Sequence, residues 1–583
     1  MMEAAEGAGV EPPAPSDHEW AHAGTDRVEM LQVHPLPLLV LPDRGGRRSR
    51  RARRHVRECN DAIQGLNWYA GYDYGLPQPC SAPNSLQKLA VARVEQLVRA
   101  QPPPSETPSE QAAFLELLRG RSVYATGAET GLSLAAFRSP GQVSMPQDVH
   151  GAPRVEDLAS DGEHYLGNGL QRMLRPASDA DKVQQELLHI RPYVDPALLR
   201  SRHKYIALVR RLVASGLFIY LLDSDVKERS GIFFVTKTGK KKFRLVIDAR
   251  RANKHFVTPP GVNLCSVEGL SKIEVLAPDD FDPSSEAGIK LMRDLEMTLG
   301  VADVADAFRN MRIPWHLSRY FALMPLTAGE AGLVGQILGG VVLGSNDLVA
   351  PAAGSLPMGF SWSLFFCQGT TEAKMLSCGS LDNKTLLQDR LPPPVFDVAA
   401  AQRDRKTAGK VAYVYVDNLG VLGFFRKEVA DTLDEVTQAC DQAGLPTHER
   451  DLTGGATRAL GALIDCEHWT SQPTLARLWR IRRGCSWALK CRKLPGRVWE
   501  ILLGHMTFLG LSNRDSLSAF CALYKFVEAH YWEPMPLWPT ARDEVRAFLG
   551  VLCLFVSDWT LQWCPYPMAS DASEDGYGIC WGT

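Results

Sequence analysis

The chain has 583 residues, 45% of them hydrophobic, enough for several packed cores and roughly two to four domains. Lys and Arg total 64 against 66 Asp and Glu, so net charge selects no partner, and no apolar run approaches the ~18 residues of a membrane span. Thirteen cysteines without a C-x-x-C pair speak against a zinc site of the usual spacing and against a disulfide framework. They predict a reducing, intracellular compartment, cytoplasm or nucleus. The acidic, proline-bearing start is unlike a signal peptide.

Residues 1–182 read as a loosely built, partly disordered N-terminal region. "EPPAPSD", "QPPPSETPSEQ" and "SPGQVSMPQDVHGAPR" are rich in Pro, Ser and Gly, with short helical patterns such as "SLQKLAVARVEQLVRA" between them. Residues 44–57 hold eight arginines and no acid, a run that fits phosphate contact, a nuclear signal or a solvated face. From 183 the texture becomes globular. "PALLRSRHKYIALVRRLVASGLF" has helical spacing and stops at Gly216. "GIFFVTKTGKKKFRLVIDARRANKHF" reads as two strands joined at "KTGK". Its stretch from Lys237 to Lys254 carries eight Lys/Arg against Asp248 alone.

"GVADVADAFRNMRIP" is a strand entering a turn or short helix, and "LPMGFSWSLFFCQGTTEAKML" is a glycine turn feeding a helix. "YVYVDNLGVLG" reads as a tight β-hairpin with a carboxylate at its tip, followed by a helix near 427–443. Stretches near 327–354 and 378–410 read as insertions into this core. Residues 471–560 are mainly helical, and "RLWRIRRGCSWALKCRKLPGR" within them offers a basic surface for a nucleic-acid backbone. Residues 561–583 begin a new strand.

Asp303 and Asp417 each lie near the end of a short apolar strand. Alone, either reads as a turn or cap residue. Together, two carboxylates on neighbouring strands suit magnesium, which takes hard oxygen ligands and keeps positions for substrate phosphates. Two such ions can activate an attacking 3′-oxygen and stabilise a leaving pyrophosphate. Lys242 and Arg244 on the basic strand can neutralise a triphosphate, with Asp248, Arg250 and Asn253 following. Gly359 lets backbone approach a nucleotide or template closely.

These residues carry a resemblance to reverse transcriptases over roughly residues 185 to 470. "FRLVIDARRANK" resembles the fingers motif and "VADVADAFRNMRIP" the first palm motif. "LPMGFSWSLFFCQ" resembles the LPQG motif, "YVDN" the Y-x-D-D box, and "ALGALID" the later strand near the primer grip. The resemblance implies an α+β, right-hand polymerase fold, with fingers and an antiparallel palm over 183–470 and a helical thumb or connection over 471–560. It implies two Mg²⁺ ions, or Mn²⁺, held by Asp303, Asp417 and the Val304 carbonyl, and a catalytic centre of Asp303, Asp417 and Asn418. Lys242, Arg244, Asp248, Phe308, Met358 and Gly359 would meet the nucleotide, with Phe308 as the steric gate selecting deoxynucleotides. Tyr415 would support the hairpin or primer end. The partners implied are an RNA or DNA template-primer and deoxynucleoside triphosphates.

Two positions depart from the pattern. Met358 stands where Gln is common, keeping the bulk and losing the hydrogen bonds. Asn418 stands where a second Asp is usual, losing a charge. The chain is then either an active polymerase with lowered metal affinity or a silent nucleic-acid-binding copy. An RNA-dependent RNA polymerase is disfavoured by Phe308. "ASDASEDGYGICW" resembles the first strand of a retroelement ribonuclease H domain, which would make Asp571 its first metal-binding acid. The further carboxylates of such a domain are absent before Thr583, so no ribonuclease H activity is expected. The order of the two resemblances is that of a retrotransposon.

Overall fold

The computed structural model describes residues 34–75, 82–119, 135, 137–146, 148–167, 169–236, 242–278, 280–389, 391–405, 409–561, 568–573 and 576–581. It is a mixed α+β structure, with antiparallel pairing dominating the sheets. In chain order, helices α1 (Arg47–Tyr69), α2 (Ser85–Ala100) and α3 (Glu110–Arg119) come first. Strands β1 (Phe218–Leu222), β2 (Gly231–Thr236), β3 (Phe243–Asp248), β4 (Thr298–Val304) and β5 (Leu348–Ala353) follow. Next are α4 (Ser363–Leu376), β6 (Lys410–Tyr415), β7 (Asn418–Gly423), α5 (Arg426–Gln442) and β8 (Thr447–Thr453). The last helices used below are α6 (Leu475–Lys490), α7 (Gly496–Gly510) and α8 (Pro539–Val551).

A four-stranded sheet of order β6-β7-β4-β8, antiparallel at every step, forms the centre. Side chains alternate across a sheet, so residues directly opposite one another share a face. One face is apolar at its centre: α5 presents Val429 and Leu433 one helical turn apart, and they pack on Ala302 and Val421. The other face divides. At one end Leu299, Leu422 and Tyr413 are buried in a second hydrophobic cluster with Phe424 and Trp469. At the opposite end it carries Asp303, Asn418, Tyr415 and His448, none of them fully buried. Tyr413 fits because Gly420 is its cross-strand neighbour; a Cβ there would sit 2.1 Å from the ring.

The described part of residues 1–182 is packed into the cores, and the rest of the segment expected to be partly disordered lies outside the described residues. Phe137, Val143, Val149, Val155 and Leu158 lie in the main core, and Ser144 N–H donates to the Phe243 carbonyl at 2.8 Å. Helix α3 buries Phe114 and Leu117 among Leu478, Ile481 and Cys485 of α6. Helices α1 and α2 share a small core of Cys59, Ile63, Val91, Val94 and Val98, closed by Cys553 just past α8. The N-terminal helices and the C-terminal ones are therefore packed together.

Two supposed insertions also belong to the core. Residues 348–353 are β5, which pairs along its length with β1 and buries Ala350, Ala352 and Ala353. Only the preceding segment is an excursion, tipped by a small hairpin of Ile337–Leu338 and Val341–Val342. Within 378–410, Val395–Asp397 pairs in parallel with Glu274–Leu276, and Phe396, Val398 and Ala401 are buried.

The "ALGALID" stretch falls in a second sheet of Ala456–Ala459, Ala462–Asp465, Thr470–Pro473 and Ser557–Asp558. Residues 568–573 and 576–581 form an antiparallel pair in which Asp571 lies opposite Gly578; its side chain lies outside the described residues. Among the described residues no helix is long and apolar enough to cross a membrane.

Candidate active site

The hairpin β6–β7 turns in two residues, Val416 and Asp417, since Tyr415 pairs directly with Asn418. Val416 has φ of 60°, a conformation a β-branched residue adopts only at a cost of order 1–3 kcal/mol. The cost is offset from α4. The buried Gln368 accepts the Val416 N–H at Oε1, 2.7 Å away, and Thr371 Oγ donates to the Val416 carbonyl at 2.8 Å. Gln368 also donates to the Val414 carbonyl at 3.1 Å. The helix that follows the glycine turn thus holds the hairpin tip rigid.

That turn brings Asp417 to Asp303. Asn418 lies opposite Asp303 in the β7–β4 ladder, and the Val304 N–H donates to the Asp417 carbonyl at 2.8 Å. Burial pushes the Cys367 thiol well above its usual pKa, and the charges of Asp417 and then Asp303 add to it. Asp417 itself is shifted upward because burial disfavours its charge. Its own backbone, Arg244, the Asn418 amide and His448 oppose that shift without cancelling it. A carboxylate held short of compensating positive charge suits a cation, and the donor set of two carboxylates beside Val304 fits magnesium or manganese.

Asn418 answers for its own place. Its Nδ2 donates to Asp417 Oδ1 at 3.1 Å, so the amide supplies a hydrogen bond where a second carboxylate would repel. On the far side of β4, His448 faces Asp303 and its Nδ1 lies 3.0 Å from the Asp303 carbonyl oxygen.

The basic strand approaches from the other direction. Arg244 in β3 is half-buried and lies near enough to act on both Asp417 and Arg309. Arg309 is buried, donates to the Ser144 carbonyl at 2.7 Å and pairs with Asp306 at 3.1 Å. Burial lowers its pKa against the pull of Asp306, and Arg244 adds to the lowering. Phe308, half-buried in the short helix Ala307–Asn310, packs against the main core one residue before Arg309. Lys242 is exposed at the start of β3, and Tyr415 is half-buried beside the hairpin tip, its hydroxyl shifted upward by burial and by Asp417.

Three motif residues serve the scaffold. Asp248, expected at the nucleotide, is buried and gives its carboxylate to Arg250 at 2.7 Å and to the Tyr193 N–H at 2.7 Å. Gly359 has φ of 114°, and a Cβ there would lie 2.5 Å from the Ile247 carbonyl oxygen, so the close approach it permits is to β3. The Met358 carbonyl accepts the Ile247 N–H at 3.3 Å, while Asn253 donates to the Gly359 carbonyl and accepts from the Ser361 N–H, both at 3.0 Å. The fingers motif and the glycine turn are thereby locked as one unit.

Within the basic stretch 477–497 the part on α6 is engaged by the N-terminal helices, while Arg492, Lys493 and Arg497 beyond it are exposed. Arg480 pairs with Glu116 at 3.2 Å, Arg482 with Asp61 at 3.0 Å and Lys490 with Glu110, while Arg483 donates to the Pro108 carbonyl at 2.7 Å. The N-terminal helices cover that face.

Sequence reasoning missed Gln368's partner, Thr371, Arg309 and His448. Gln368 and Arg309 are buried polar side chains inside apolar stretches, which is the one signal that marks them; His448 sits in the exposed edge of β8 and carries none.

No protein-family model matches the chain, and no curated protein matches it. Among solved structures, it is similar to the foamy viral protease-reverse transcriptase dRH in complex with double-stranded DNA. That likeness has 14% identity and a TM-score of 0.41, covering 76% of this chain and 68% of the viral one. The foamy viral protease-reverse transcriptase in complex with double-stranded DNA is similar at 14% identity and a TM-score of 0.40, covering 87% and 79%. At this distance the likeness fixes nothing about the chemistry, which rests on the residues described above.

Proposed function

We propose that the chain is an RNA-directed DNA polymerase of the reverse-transcriptase type from a retrotransposon, built as fingers, palm and thumb. One feature supports the reading: Asn418 lies opposite Asp303 and the Val304 N–H donates to the Asp417 carbonyl, so Asp303 and Asp417, distant in sequence, sit at the same end of one antiparallel sheet. Asp303, Asp417 and Val304 would hold divalent magnesium or manganese, which supplies positive charge for the phosphates and for the attacking 3′-oxygen. Arg244, with Lys242 beside it, draws a nucleoside triphosphate toward the carboxylates and neutralises its charge. Phe308, half-buried against the main core, would discriminate the sugar. The pinned turn at Val416 keeps Asp417 in place without rearrangement during turnover.

The test is extension of a DNA primer on an RNA template with dNTPs and Mg²⁺ or Mn²⁺. Extension that a chelator abolishes, and that rNTPs do not support, is expected. Duplex binding with no extension in either metal would instead favour a silent nucleic-acid-binding copy, the second reading that Asn418 motivates.

Asn418→Asp separates these readings further. The substitution replaces the amide that donates to Asp417 with a second acid. Without metal the variant is expected to melt below the parent at neutral pH; with Mn²⁺ it should bind the ion at least about tenfold more tightly, because added carboxylate charge favours a hard cation. Equal Mn²⁺ affinity in the two proteins would show that residue 418 contributes nothing to the cation seat.

A further inference from the structure

The eight-arginine segment is absorbed by nothing in the site. Residues 47–57 form the first three turns of α1, while the second half of the same helix is anchored: Asp61 to Arg482, Cys59 and Ile63 in a core, and the Tyr69 hydroxyl to the Ser516 carbonyl. The two helices run antiparallel, since Gly65 lies against Ala547 and Asp61 against Gly550. Helix α8 ends at Val551, so the arginine-bearing turns extend past it. Arg48, Arg50, Arg51, Arg54 and Arg57 are exposed, and Glu58, beside Arg54 at 3.3 Å, is the acid that pairs with this group among the described ion pairs.

The geometry points to this projecting half of α1 as a second nucleic-acid contact, one that grips the phosphodiester backbone of a duplex outside the carboxylate cleft. At 1.5 Å per residue the eleven positions span roughly 16 Å, the reach of about five phosphates along one strand. At 3.6 residues per turn the arginines cover roughly two-thirds of the circumference, which suits a wide anionic surface better than a narrow protein groove. The remaining sector carries Ala52 and Val56, continuing the stripe of Cys59 and Ile63 that anchors the helix. This end of α1 carries five exposed arginines, with Glu58 as the acid paired among them. The inference relies on the polymerase reading only for the duplex's identity.

The test uses the full chain and a fluorescein-labelled RNA–DNA hybrid, with anisotropy followed from about 50 to about 200 mM NaCl. The quadruple variant Arg48→Gln, Arg50→Gln, Arg51→Gln, Arg54→Gln should bind about ten- to a hundredfold more weakly. Its log–log salt slope should be shallower by about three to four, at roughly 0.9 per phosphate contact. All four side chains are exposed, so the thermal midpoint should stay at the parent value. Unchanged affinity and slope would overturn the proposal, as would a loss confined to binding of polyglutamate. A chain that extends no primer yet shows the slope change would retain this contact while refuting the polymerase reading.

Discussion

Asp417→Ala is expected to lower primer extension by at least about a thousandfold, or about 4 kcal/mol of transition-state stabilisation, with duplex affinity within about twofold of the parent. The carboxylate is expected to contribute only where charge develops, so its removal should lower kcat with little change in KM for the duplex. The scaffold does not depend on it. The ladder pairs of β7 with β4 are backbone contacts, and Gln368 and Thr371 hold the turn through Val416, not Asp417. An Asp417→Ala protein with the parent melting temperature and parent activity would show that the chemistry lies elsewhere.

The second large effect is on stability. Glu228 is buried and receives Arg251 Nε and the Arg229 N–H, both at 2.8 Å, and lies 3.0 Å from His255 Nε2. Arg251 in turn donates to the carbonyls of Leu187 and Ile190 at 2.8 and 3.1 Å, tying the segment before the fingers hairpin to the helix after it. Burial pushes Glu228 upward, but His255, Arg251 and the backbone outweigh it and hold the carboxyl down to about 2.

Glu228→Gln should therefore cost about 3 kcal/mol at pH 7, by linkage and by the cost of leaving a buried cation underpaired. The folded pKa lies below the unfolded one. The stabilisation is thus complete above about pH 4.5 and is lost as pH falls from there toward 2. Urea midpoints of parent and variant should accordingly converge below about pH 4.5. A gap that stays constant to pH 3 would contradict the assignment.

How much of this was legible from residues alone differs by element. The hairpin was plain, because "YVYV" and the run after Asn418 are strand formers around a two-residue turn. The strand ending in Asp303 was equally clear. Strand β5 was not: "LVAPAA" has Pro351 and three alanines, which read as poor strand, yet it lies between two partners and the Pro351 carbonyl still accepts the Leu323 N–H. The ion pair of Asp248 with Arg250 was not legible, because the spacing fits a ligand as well as it fits a partner two positions on. Of the N-terminal helices, α2 was visible as a helical pattern. Their docking was hidden, since their partners lie at the far end of the chain, and apolar periodicity names a buried face without naming what covers it.

The most direct test of the central claim is Mn²⁺ binding followed by electron paramagnetic resonance, with template-primer and dNTP present. Asp303→Asn and Asp417→Asn are compared with the parent. If the two carboxylates share a cation seat, each variant should bind Mn²⁺ at least about tenfold more weakly while retaining the parent fold. Parent-level Mn²⁺ affinity in both variants would contradict the account.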